Sequence, residues 1–134
     1  MLCVDTKIKK SKIAGLGLFA DEDIARGALI WRYDPKIDLL FSKEDVFTLS
    51  PSAQKQFYNY AFFDKFHKKY MLCGDDGRFF NHSDYPNCDD GMKDTTIALR
   101  DIKKGEELTV DYKAFYGDPE NHPEIDWQMT SALT

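Results

Sequence analysis

Gly, Asp and Pro interrupt this chain so often that its β-rich runs stay short, which favours many small strands over a few long elements. Residues 2–9 read as a strand, and the alternation of Lys7, Lys9, Lys10 and Lys12 with Ile8 and Ile13 marks it as an edge. Ala14–Phe19 is a glycine-bearing turn into a second strand. Ile24-Ala25-Arg26-Gly27 is a turn, and Ala28–Tyr33 is a β-rich run stopped by Asp34-Pro35. The middle changes character. Ser42 with Asp45 three residues on is a capping-box start, and Ser50-Pro51 sets a capping Ser before a Pro suited to a first helical turn. Short helices are expected near 43–48 and 51–58. Lys69–Cys73, Thr96–Arg100 and Leu108–Val110 return to strand composition, and Glu124–Ala132, after Pro119 and Pro123, suits one short helix. The pattern is that of a mainly β domain with short helices.

A chain of 134 residues, 43% apolar and 14% aromatic, is long enough for one domain with a real core. The net charge of −5 argues against direct nucleic-acid binding through bulk charge and suits a basic protein or peptide partner, although an acidic surface also serves solubility alone. Cys3, Cys73 and Cys88 form no Cys-x-x-Cys pair, which fits free thiols in an intracellular, reducing compartment. The start of the chain carries no long apolar stretch, so neither a signal peptide nor a membrane span is expected. His67, Cys73, His82, Cys88 and His122 match no paired zinc spacing, and no metal is expected.

Three blocks carry the chemistry. The first, Gly15-Leu16-Gly17-Leu18-Phe19-Ala20, literally matches the dinucleotide fingerprint, which needs a hydrophobic strand before it and a helix after it. Lys-rich residues precede it, and Asp21–Gly27 is too short and Gly-terminated for that helix, so a glycine-containing hairpin is the plainer reading. The second is Arg78-Phe79-Phe80-Asn81-His82-Ser83-Asp84-Tyr85-Pro86-Asn87-Cys88, a polar, turn-prone run able to hydrogen-bond a small ligand through side chain and backbone. The third is Gly105-Glu106-Glu107-Leu108-Thr109-Val110-Asp111-Tyr112, which taken alone is a charged turn entering a strand.

Together the blocks resemble the three signatures of SET-domain protein-lysine methyltransferases, and the resemblance runs from about residue 4 to about residue 116. It implies a SET-domain β-clip fold in which the C-terminal strand threads the loop around the second block, a rare exception to unthreaded connections. It implies S-adenosyl-L-methionine as cofactor, with the Gly15-Leu16-Gly17 backbone near its methionine end and Asn81 holding its polar end. His82 meets the adenine through backbone groups, Arg78 belongs to the same cofactor-binding set, and Trp127 stacks on the adenine. Tyr112 is the catalytic residue. Tyr60, Val110, Phe115 and Tyr116 line the substrate channel. Family members with a zinc-bound tail usually place Cys directly after Asn-His-Ser. Here that residue is Asp84, so the chain resembles the zinc-free branch, with 117–134 as a closing segment.

Methyl transfer to lysine needs a neutral amine, and neutralising a side chain of pKa ~10.4 near pH 8 costs about 3 kcal/mol. An apolar channel and a neighbouring sulfonium both disfavour the ammonium, so no strong base is expected, only alignment in a tyrosine-lined tunnel. Family members often carry Phe or Tyr at the position of Val110, where it limits methyl addition, so Val110 points to multiple methylation. The resemblance implies a histone-like tail as substrate and a nuclear or chromatin-associated site in a eukaryotic setting, otherwise a cytoplasmic one. A homodimer completing the peptide groove stays open, as does a catalytically silent SET-like module that binds a protein partner.

Overall fold

The computed structural model describes residues 1–112, so the expectations at Phe115, Tyr116, Trp127 and the 124–132 helix lie outside the described residues. Strand β1 (Thr6–Lys10) pairs antiparallel with β2 (Leu16–Ala20), setting Lys9 opposite Gly17. Lys7, Lys9 and Lys10 face solvent while Ile8 packs against the core, as the alternation requires. Gly15, at φ +43°, turns the chain between the two strands, where a Cβ would be strained.

A second sheet orders β3 (Leu29–Arg32), β9 (Thr95–Ala98) and β8 (Cys88–Asp89), all antiparallel. A third orders β4 (Leu39–Phe41), β6 (Lys69–Leu72) and β5 (Phe62–Asp64), again antiparallel. The two capping signals give the two helices. Ser42 Oγ accepts from Asp45 N at 3.0 Å and Asp45 Oδ2 accepts from Ser42 N at 2.9 Å, starting α1 (Lys43–Phe47). Ser50 Oγ accepts from Ala53 N, with Pro51 in the first turn of α2 (Pro51–Tyr60). That helix runs two residues beyond the expected end, which puts Tyr60 on its last turn. Val46 and Phe57 bury against Phe63 and Tyr70 of the third sheet.

The main core joins Leu18, Ile24, Ile30, Ile102, Leu108 and Val110. Through it runs the chain's most unusual connection. Leu108 N donates to Leu18 O at 2.7 Å, holding the third block along β2. Then β10 (Thr109–Val110) lies parallel to β7 (Asn81–His82), Thr109 opposite Asn81 and Val110 opposite His82. Asn87, further along the loop that β7 opens, grips the same segment: Thr109 N donates to its Oδ1 at 2.8 Å, and its Nδ2 donates to Glu107 O at 2.8 Å. Residues 107–110 therefore pass through the 81–88 loop, the threaded topology the resemblance implies. Strands β4, β5, β7 and β8 and the 3-10 turn Asp76–Phe79 carry no sequence pattern of their own and form because neighbours supply their partners.

Candidate active site

Threading brings residues thirty positions apart to one cavity of about 410 Å3, within the range of small-molecule sites. Its wall includes Ala14, Gly15 and Leu16 from the β1–β2 turn, Tyr60 from the end of α2, Arg78–Asn81, and Val110 and Tyr112. The Tyr112 hydroxyl donates to Phe80 O at 2.7 Å, and Tyr112 N donates to His82 Nδ1 at 3.1 Å. Since Nδ1 accepts, the ring hydrogen sits on Nε2 and donates to Asp84 Oδ1 at 2.9 Å. His82 is thereby a buried strut under Tyr112, its ring locked from both nitrogens. Burial raises the Tyr112 hydroxyl well above the ordinary tyrosine range, and the carboxylates of Asp90 and Glu107 push it further, so it stays protonated and acts as a donor.

The Asn81 amide is equally fixed. Its Nδ2 lies 3.2 Å from Ala14 O, 3.2 Å from Leu16 O and 2.9 Å from Glu107 Oε2. Glu107 also accepts from Ser11 Oγ at 2.8 Å, so the first, second and third blocks meet at one carboxylate. Gly17 has a reason of its own here. A Cβ on it would collide with Glu107 Oε2 and stand 2.9 Å from Glu107 Cδ and 3.1 Å from Asn81 Nδ2. Gly15 and Leu16 line the cavity, while Gly17 makes room for this junction.

On the aromatic side, Tyr60 meets Phe79 edge-on with centroids 5.6 Å apart. The Arg78 guanidinium lies 5.7 Å from the Tyr60 centroid and 5.1 Å from that of Phe79, bridging two cavity rings. Val110 is fully buried beside Tyr112. The lining departs from the expected apolar channel, because Asp64, Asp90 and Asp94 belong to it, together with Trp31 and Thr96. Asp94 holds His67 Nε2 at 2.6 Å, and Asp64 accepts from His67 N at 2.8 Å. Burial raises the Asp64 carboxyl. Burial likewise pushes Asp90 up to about 7, with Thr96 opposing through its hydroxyl hydrogen bond and Asp89 and Asp64 adding to the rise. The Trp31 Nε1–H is buried with no hydrogen-bond partner among the described residues.

Of the residues named from the sequence, Gly15, Leu16, Tyr60, Arg78, Asn81, Val110 and Tyr112 all line this cavity. Gly17 and His82 do not line it and instead pack in the frame around it. Sequence reasoning missed the carboxylate wall. The one signal was Asp89-Asp90 directly after Asn87-Cys88, an acidic pair continuing the second block.

The SET domain family model matches residues 15–113 of the chain. The chain belongs to the SET-domain family. This SET domain is 28% identical over 124 residues to histone-lysine N-methyltransferase 2D of Homo sapiens, covering 85% of the chain and 2% of that protein. It is 31% identical over 119 residues to the H3 lysine-36 specific histone-lysine N-methyltransferase of Candida albicans, covering 79% of the chain and 14% of that protein. The chain thus spans a small part of the length of these relatives. Among solved structures, ctPRC2 in an autoinhibited conformation bound to S-adenosylmethionine superposes with a TM-score of 0.64 at 22% identity, over 90% of this chain and 16% of that one. No helix among the described residues is long and apolar enough to cross a membrane.

Proposed function

We propose that this SET domain transfers a methyl group from S-adenosyl-L-methionine to the side-chain amine of a lysine in a basic protein tail, with a histone tail as the candidate substrate. The observation that carries this reading is the convergence of Gly15, Leu16, Asn81 and Tyr112 on one small-molecule-sized cavity. The lining fits a cationic cofactor: carboxylates complement a sulfonium and rings supply apolar walls. Gly15, Leu16, Arg78 and Asn81 would hold the cofactor, with Trp127 as a further candidate. When bound, the cofactor supplies a methyl group on a sulfonium.

The chain's own residues do the rest. Tyr112, kept protonated by burial and tethered through Phe80 O and the His82 ring, orients the amine with its hydroxyl oxygen. Val110 and Tyr60 bound the space in which the amine turns, and Phe115 and Tyr116 are candidates for its mouth. A net charge of −5 favours approach of a basic tail. A chromatin-associated location would follow from such a substrate.

Calorimetry with S-adenosyl-L-methionine, followed by methyl incorporation into histone peptides, tests the reading. Tyr112→Phe should keep cofactor binding and lose most turnover, on the order of 10²-fold as for a lost positioning or polar contact. Binding without incorporation would mark the domain as a silent partner-binding module, and equal turnover in wild type and variant would remove Tyr112 from the chemistry.

A further inference from the structure

Of the carboxylates lining the cavity, Asp90 is the one that no described Lys, Arg or His approaches within ion-pair distance. Asp64 and Asp94 both engage His67. Asp90 accepts a short hydrogen bond from the Thr96 hydroxyl, and no described Lys, Arg or His lies within ion-pair distance of it. Its surroundings are otherwise acidic or neutral: Asp89 beside it on β8, Asp64 from β5, Cys73 and Cys88 in the core, and Tyr112 after β10. A carboxylate sunk in a cavity costs free energy unless a cation or a proton joins it. Thr96, itself buried, aims one neutral donor and no more.

This wall also changes the problem the amine faces. A carboxylate in the cavity favours the ammonium and so opposes desolvation and a sulfonium neighbour, which both disfavour it. A proton acceptor is needed in the same space, and it must share the cavity with Tyr112.

We infer that Asp90 is that acceptor: its carboxylate receives the ammonium of the incoming lysine and takes its proton. The inference rests on the proposed methyl-transfer reading and deepens it. One N–H bond of the ammonium breaks, its electron pair staying on nitrogen, and a new O–H bond forms on Asp90. The freed pair then bonds the methyl carbon of a sulfonium donor as the carbon–sulfur bond breaks and its electrons return to sulfur. The product leaves as a methylammonium, and Asp90 releases its proton to solvent. A carboxyl that burial pushes up to about 7 lies in the range that suits this task.

Two measurements test it. In kcat/KM against pH, the wild type should show a limb rising through about 7, set by Asp90 in the free enzyme. Asp90→Asn should lose that limb and fall about 10²-fold or more at neutral pH. It should rise only toward the lysine's own titration at higher pH. Thr96→Val removes the donor that lowers Asp90, so its limb should move to higher pH without vanishing. An Asp90→Asn profile that keeps the wild-type limb overturns the inference while leaving methyl transfer intact. Independently of turnover, ¹³C-carboxyl NMR of the aspartate-labelled protein should show Asp90 titrating at lower pH when n-butylammonium is added, and unmoved by n-butanol. Should the chain transfer no methyl at all, this second measurement still decides. A shift supports Asp90 as the cation's partner though the enzyme reading has failed, and no shift at saturating n-butylammonium overturns it.

Discussion

Replacing Gly17 by Ala isolates the junction where the three blocks meet. The strand backbone tolerates alanine, and losing a strand glycine would by itself stabilise by roughly 0.5–1 kcal/mol. The added Cβ, however, overlaps Glu107 Oε2 and stands 3.1 Å from Asn81 Nδ2. Glu107 must swing away, giving up Ser11 Oγ at 2.8 Å and Asn81 Nδ2 at 2.9 Å. Hydrogen bonds to a charged group contribute about 1.5–3 kcal/mol each, but Ser11 regains water, and Asn81 keeps Ala14 O and Leu16 O. The net expectation is a loss of about 1–3 kcal/mol, read as a shift in the urea midpoint at constant slope. Gly27→Ala is the control. It sits at φ +82° with nothing within 4 Å of its Cβ, so backbone strain of about 1 kcal/mol is all it should cost. In the Gly17→Ala, Glu107→Ala double variant the collision is gone, so the two losses should fall short of additivity by about 1 kcal/mol or more. A Gly17→Ala variant as stable as wild type, or strictly additive losses, would refute the steric account.

Asn87→Ala should cost about 2–5 kcal/mol in chemical denaturation, because it strips partners from the buried Thr109 N–H and from Glu107 O and unclasps the threaded strand. Since Asp90 titrates higher in the fold than in the unfolded chain, its contribution to stability is complete below pH 4 and is lost as pH rises through about 7. Asp90→Asn should therefore match wild type near pH 4 and exceed it by roughly 1–3 kcal/mol at pH 8 in thermal melts, and a difference independent of pH would contradict the assignment. Val110 leaves room beside Tyr112, so mass spectrometry of product peptides should reveal more than one methyl per lysine, and strict monomethylation by the pure protein would refute that.

What the sequence made legible was whatever depends on neighbours in the chain. Ser42 with Asp45, and Ser50 with Pro51, act within one helical turn, so both helix starts could be read directly. The Lys-rich edge strand announced itself by alternation. The two-residue strands β7 and β10 carry no such period; they exist because Asn87 and β2 hold 107–110 in place. The carboxylate wall was hidden for a different reason. Asp64, Asp90 and Asp94 come from β5, the end of β8 and the turn before β9, and among 23 acidic residues each reads as solvated surface until the fold turns it inward.

Those carboxylates resolve a conflict that a purely apolar channel leaves standing. In the proposed reaction two cations, a sulfonium and an ammonium, would occupy neighbouring positions, and at 4 Å in a medium of effective dielectric near 20 their repulsion is about 4 kcal/mol. Fixed negative charge relieves that repulsion and admits the substrate, yet the same charge holds the amine in its unreactive form. Asp64 and Asp94 are tied to His67. On the inference above, Asp90 changes its charge within the cycle, attracting the ammonium as an anion and ceasing to favour it once protonated. A site that needs attraction at binding and neutrality at reaction is served by one carboxyl poised between the two states, and Thr96 sets where that poise lies.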